Sequence, residues 1–289
     1  MTATTLALAA VRHARAVPRS VVALRVLAVV VLALVAAGGT FRLLGGQWYV
    51  VETPSMGTTA PVGSLVFDVP VRAAVAVGDI VSFHPPTAPK ELYTHRIVAI
   101  APAGAITTRG DINGAPDGWQ LRTSDIVGRV TVILPGIGWG LRALPIIVPG
   151  ALLAWFIGGL LRSAAARRAT RLLGGSLAVG LAAAWLHPFT GMVLLSTGVT
   201  DRIATATVVA TGLLPIRVSG GGRSVDLTPG QVGRLHIPVD TASAGHFALQ
   251  SALHLPVVGW AGVALACAAP LLLACAVLIR PPKADREAA

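Results

Sequence analysis

The stretch LYTHRIVAI, residues 92–100, packs Tyr, Thr, Ile and Val into nine positions and carries a histidine near its start. Such residues suit a pleated, half-buried surface, so the run reads as a β-strand. Similar runs lie on both sides: GSLVFDVPV (63–71) and GDIVSFH (78–84) before it, AITTRGD (105–111) and DIVGRVTVI (125–133) after it. Each is bounded by Gly, Pro or Asp, and no helical period links them. Residues 46–140 therefore read as an all-β segment.

The surrounding sequence is of another kind. Of 289 residues, 54% are hydrophobic and only 12% charged, and the mean hydropathy is +0.74. A soluble domain is roughly a quarter charged, so this is the composition of an integral membrane protein. Four stretches approach the ~20 apolar residues needed to cross a bilayer: 21–44, with Arg25 and Arg42 near its ends, then 144–161, 172–192 and 255–279. The fold class expected is a multi-pass α-helical membrane protein of about four spans, carrying the β segment and a second, smaller one.

Lys and Arg are retained on the cytoplasmic side of short loops, which orients the spans. With both ends inside, the N-terminus (1–20), the loop 162–171 and the tail 280–289 are cytoplasmic. They hold Arg12, Arg15, Arg19, Arg162, Arg167, Arg168, Arg171, Arg280, Lys283 and Arg286. Counting Arg25 with them and subtracting Asp285 and Glu287, the inner side carries +9 and the outer side +2. Segments 46–140 and 196–254 then face outward. The basic balance is explained by this topology and by anionic lipid heads, so the phospholipid membrane is the expected partner and nucleic acid is not. The first apolar run continues past Ala36 and Ala37, where a cleavable leader would be cut, and is expected to stay as an anchor.

Segment 196–254 also alternates, in ATATVVAT (204–211), LPIRVSG (214–220) and SVDLTPGQVGRLHIPV (224–239), with a turn at Gly220–Gly222. A small β-sandwich suits it. Its His236, His246 and His254 have no carboxylate or cysteine at ligand spacing, so no metal or other cofactor is expected. Cys267 and Cys275 both fall inside the last span and imply no disulfide, and His187, beside Pro188, is expected at an interface. Polar residues are sparse within the spans, which argues against a transport pathway.

In TPSMGTTAP, residues 53–61, Ser55 lies about ten residues past the first span. A hydroxyl becomes nucleophilic only when a base takes its proton. Lys283 is in the cytoplasmic tail and Lys90 in the proline-rich loop HPPTAPKELY (84–93), whereas His95 sits at the start of a strand with an imidazole suited to proton transfer. RGDINGAPDGW (109–119) adds Asp111 and Asp117 as carboxylates to orient that imidazole. Each residue alone has a bland reading, since Asp in such a context usually makes a turn. Their order and context carry more weight.

In that order the chain resembles the type I signal peptidases. The resemblance rests on Ser55-Met56, Gly63-Ser64-Leu65-Val66, Gly78-Asp79-Ile80-Val81, His95-Arg96-Ile97-Val98, Gly110-Asp111-Ile112-Asn113 and Gly128-Arg129-Val130, and covers about residues 22–140. Histidine at the base position is similar to the endoplasmic-reticulum branch, which also occurs in archaea and some Gram-positive bacteria; most bacterial members have lysine there. The resemblance implies a serine endopeptidase that removes signal peptides from exported proteins at the outer face of the plasma membrane. It implies Ser55 as nucleophile, His95 as general base, and Asp117 as third member, with Asp111 supporting the site or taking that role itself. Thr53, two residues before the serine, is then an oxyanion donor or simply a residue that satisfies a turn. Signal peptides are the implied partners, with the export machinery as a candidate. The family commonly has SMEPT where this chain has Ser55-Met56-Gly57-Thr58-Thr59, and GD where it has Gly63-Ser64; both departures bear on loop shape and substrate fit. Three readings follow: the peptidase, a catalytically inactive scaffold or peptide-binding module on the same fold, and, least, a transporter. Segment 196–254 either stabilises and positions the first β segment or recognises particular exported proteins.

Overall fold

The computed structural model describes residues 19–238 and 248–279. His246 and the charges assigned to the two ends (Arg12, Arg15, Arg280, Lys283, Asp285, Arg286 and Glu287) lie outside them. Two compact units divide the chain, residues 1–47 and 48–289. The first holds α1 (Arg19–Leu43), 25 residues long, which is about 37 Å at 1.5 Å per residue. Its apolar stretch is Ala28–Leu43.

Six strands follow: β1 (Gln47–Val50), β2 (Leu65–Val69), β3 (Ile80–Phe83), β4 (Tyr93–Ile100), β5 (Ile106–Arg109) and β6 (Ile126–Leu134). They form one sheet in the order β1-β2-β6-β3-β4-β5. The β2–β6, β6–β3, β3–β4 and β4–β5 pairs are antiparallel. Alternation along β3, β4 and β5 puts Val81, Phe83, Ile97 and Ile106 on one face, where Leu121 and Ile126 complete a buried cluster.

After β6, only Pro135 and Gly136 precede α2 (Ile137–Leu160), and Leu161–Ser163 joins it to α3 (Ala164–Leu186). Together with α4 (Val257–Ile279), these are long and apolar enough to cross a membrane, α4 over Val257–Ala276. Small residues let α2 and α3 approach closely: a Cβ on Gly150 would lie 2.6 Å from that of Ala178, and one on Gly174 would overlap that of Ala154. The helix ends differ from the hydropathy windows. α2 starts seven residues before 144, because a helix tolerates Trp139 and Arg142 in its first turns where an apolar window does not. Arg167, Arg168 and Arg171, expected in a loop, lie in the first turns of α3, and the Arg167 guanidinium donates to the carbonyls of Leu161 and Arg162 at 3.0 and 2.8 Å. α3 stops at Leu186, since His187 turns left-handed ahead of Pro188, and Met192 already begins a strand.

That strand, β7 (Met192–Thr200), pairs with β8 (Ile203–Ala210), which pairs with β11 (Val232–Pro238). The second three-stranded sheet is β10 (Arg223–Leu227), β9 (Ile216–Gly220) and β12 (Gln250–Leu253). Val208, Ala210, Ile216, Val218, Leu227, Leu235 and Ile237 form the buried core of these strands. The β segment thus starts four residues before 196.

In β2 one residue is at odds with its surroundings. The register against β6 shifts between Phe67 and Asp68, a bulge that re-aims the side chain, and Asp68 is 1% exposed. Neither carboxylate oxygen has a hydrogen-bond partner among the described residues. Burial raises its pKa from 3.8 to about 6, with the neighbouring Ser82 hydroxyl pulling the other way. Between those two pH values the folded protein holds a proton that the unfolded chain has released, so stability falls as pH rises through that window. At 1.36 kcal/mol per unit the loss is about 3 kcal/mol. Asp68→Asn should abolish this slope. In denaturant unfolding of the detergent-solubilised protein, the variant should match wild type near pH 4 and exceed it by up to about 3 kcal/mol at pH 7.5.

Candidate active site

Ser55 sits in a single 3-10 turn, Pro54–Met56, between β1 and β2. Proline at the first position presets the turn, Met56 is buried beneath it, and the Gly57 N–H closes it on the Pro54 carbonyl at 2.8 Å. From the other side the Ile112 N–H donates to the Ser55 carbonyl at 3.0 Å. Gly110 makes this approach possible: a Cβ there would stand 2.8 Å from the Ser55 carbonyl oxygen and 2.9 Å from the Ser55 Cβ. The Gly-Asp-Ile-Asn motif thus brings its backbone against the serine.

His95 lies in β4, held on either side by β3 and β5, and is 3% exposed. Edge-on contacts with Tyr93 (5.7 Å between centroids) and Phe83 (6.0 Å) fix the ring plane. Its Nδ1 is 2.7 Å from Asp117 Oδ2 and its Nε2 3.1 Å from Ser55 Oγ. A carboxylate only accepts, so Nδ1 carries the proton and donates to Asp117, leaving the Nε2 lone pair to accept from the Ser55 hydroxyl. Asp117 is itself fixed: the Thr108 hydroxyl donates to the same Oδ2 at 2.6 Å, and the Asp117 N–H donates to the Thr108 carbonyl at 2.9 Å.

Asp111 goes elsewhere. Arg96 follows His95 in the strand and therefore faces the opposite side. Its Nε and Nη2 donate to the two Asp111 oxygens at 2.8 and 2.7 Å, and the Thr59 hydroxyl adds a third bond at 2.6 Å. Partial burial would raise the Asp111 pKa, but the Arg96 fork and Thr59 outweigh it, and the value falls below the ordinary one. Of the two acids in the 109–119 stretch, Asp117 meets the imidazole and Asp111 ties the loop after β5 to β4 and to the segment following Ser55. Sequence reasoning did not single out Thr108 or the Arg96–Asp111–Thr59 clamp; the adjacency of His95 and Arg96 was the available sign of two acids serving two faces.

Ser55 and His95 open on a cleft of about 610 Å³ lined also by Tyr49, Val51, Thr53, Met56 and Tyr93. Thr53 makes no capping bond to the serine's turn. At the rim an ion pair joins Glu52 to Arg142 of α2, and the Arg142 guanidinium lies 5.8 Å from the centre of the Trp139 ring. Among the described residues no cluster of His, Cys, Asp or Glu could hold a metal ion. A hydroxyl, an imidazole and a carboxylate in line can generate an alkoxide-like nucleophile and protonate a leaving group.

Residues 23–112 match the model of the signal peptidase family, peptidase S26. The match holds Ser55, His95 and Asp111 and ends before Asp117, and it supports the signal peptidase family for this part of the chain. No curated protein matches the sequence.

The geometry can be checked without a substrate. In Ser55→Cys, with Cys267 and Cys275 changed to alanine, the thiol should be held partly as thiolate by His95. Its alkylation by iodoacetamide near pH 6.5 should be faster than that of an ordinary thiol. Adding His95→Ala or Asp117→Ala should remove the excess, and Asp111→Ala should remove much less of it.

Proposed function

We propose that the chain is a membrane-bound serine endopeptidase of the histidine-base branch of signal peptidases, which cuts signal peptides from exported proteins at the outer surface of the plasma membrane. The observation that carries this reading is the relay from Ser55 Oγ through His95 to Asp117, within a span of sequence matched by a signal peptidase model. The long apolar helices α2, α3 and α4 support a membrane setting, and the excess of arginine assigned to 1–20, 162–171 and 280–289 supports an outward-facing site.

In this mechanism the Ser55 hydroxyl attacks the carbonyl carbon of the last signal-peptide residue while His95 Nε2 takes its proton. Asp117 stabilises the imidazolium so formed. The oxyanion is met by the Ser55 N–H and the Thr53 hydroxyl, both beside the cleft. His95 then returns the proton to the departing amine of the mature protein, and the acyl group on Ser55 is released by a water activated through the same imidazole. Asp111 acts at one remove, holding the strand and loops that carry the reacting groups. An apolar signal helix ends near the headgroups, so a serine placed just past a membrane anchor is at the height where the scissile bond emerges.

Wild type, Ser55→Ala and His95→Ala should be incubated in detergent with a preprotein whose signal peptide ends in a small-x-small sequence, and the products weighed by mass spectrometry. Wild type should give one cut directly after the last small residue, and each variant should lose on the order of 10⁶-fold in kcat. No cut of several preproteins by well-folded wild type would favour a peptide-binding scaffold on the same fold.

A further inference from the structure

We infer that the turn Thr228–Gln231, between β10 and β11, is a positioning element for the nucleophile. The inference rests on the reading of Ser55 given above. It concerns a part of the chain more than a hundred residues beyond the span that matches the signal peptidase model.

Gly230 of this turn stacks its backbone directly on Gly57, two residues after Ser55. A Cβ on Gly230 would overlap the Gly57 carbonyl, lying 2.6 Å from its carbon and 2.8 Å from the Thr58 nitrogen. A Cβ on Gly57 itself would run into the Ile112 side chain and stand 3.4 Å from the Gly230 carbonyl oxygen. Gly57 is thus packed against both Ile112 and Gly230, at φ 53° and ψ −132°, a region open to glycine and strained for any residue with a Cβ. The same residue closes the Ser55 turn through its N–H. Whatever holds Gly57 also sets the direction of the serine hydroxyl.

The turn that carries Gly230 is itself tightly bonded. The Gln231 N–H donates to the Thr228 carbonyl at 2.9 Å, and the Gln231 Oε1 accepts from the Thr228 N–H and hydroxyl at 3.0 and 2.9 Å. Gly230 N–H and the Gln231 carbonyl bond to Ala210 at 2.8 and 3.1 Å, at the end of β8 where Val208, Val209 and Ala210 are fully buried. A continuous path of packed and hydrogen-bonded groups thus runs from the core of the second β segment to the serine's turn. The segment backs the catalytic serine.

The test compares Gly230→Ala with Gly222→Ala. Both glycines have almost the same positive φ, 77° and 76°, so both substitutions place a Cβ in the left-handed range within the same segment. A Cβ at Gly222 meets nothing within 4 Å. Gly230→Ala should cut preproteins with kcat lowered by about 10²-fold, the cost of roughly an ångström of misplacement, and with KM within a few-fold of wild type; Gly222→Ala should behave as wild type. In the Ser55→Cys background, Gly230→Ala should also move the pH profile of alkylation toward that of an ordinary thiol, and Gly222→Ala should not. Gln231→Ala, which loosens the turn and leaves Gly57 uncrowded, should give a smaller change in the same direction and serves where Gly230→Ala does not fold. Equal kcat values and equal alkylation profiles for the two glycine variants overturn the inference. If wild type cuts no preprotein, the proposed function fails, and the alkylation profiles alone decide whether the turn positions residue 55.

Discussion

A neutral imidazole presents a lone pair to a hydroxyl only if its other nitrogen keeps the proton, and here the 2.7 Å bond from His95 Nδ1 to Asp117 imposes that arrangement. Most of the first sheet serves this one bond. β3 and β5 flank the strand that carries His95, Phe83 and Tyr93 fix the ring plane, and Thr108 holds the carboxylate from β5. Buried polar groups are costly unless each is paired, so a chain of mutually satisfied donors and acceptors is also the condition for burying the group at all.

The two acids of the 109–119 stretch divide the work by the two-residue period of β4. His95 and Arg96 face opposite sides, and each receives its own carboxylate. Asp111, gripped by a guanidinium fork, ties the loop after β5 to the strand on the face away from the imidazole. Asp68 marks the contrast. It is as deeply buried as any group in the site, lacks a partner among the described residues, and so is held toward its neutral form rather than made to act as a base.

How much of this was legible before any coordinates depends on distance along the chain. The short Val/Ile/Phe runs of 46–140 correspond to strands β2 to β6, because an alternating, turn-bounded pattern is a local property. Ser55 stood out only through the order of motifs that resembles the signal peptidases, and His95 also because it is the one candidate base on a strand-like run. The residues alone left Asp111 and Asp117 open, and only the resemblance favoured Asp117, because the choice turns on the path of seven loop residues and on which face of β4 each reaches. Helix ends escaped for another reason. Hydropathy windows discount arginine, while a helix can carry Arg142 or Arg167 in a terminal turn. Thr108 and the meeting of Gly57 with Gly230 are tertiary facts, the latter between residues far apart in sequence, and no pattern in either segment announces them.

β6 lies third of six strands and passes into α2 after Pro135 and Gly136 alone. With so little slack, the helix acts as a spindle for the sheet it carries. Each residue added to or removed from the first turns of α2 would turn that sheet by about 100° around the spindle and shift it by about 1.5 Å. The bearing and elevation of the serine are thereby registered against the axis of α2 in whole-residue steps, much as a tooth count sets the phase of a gear.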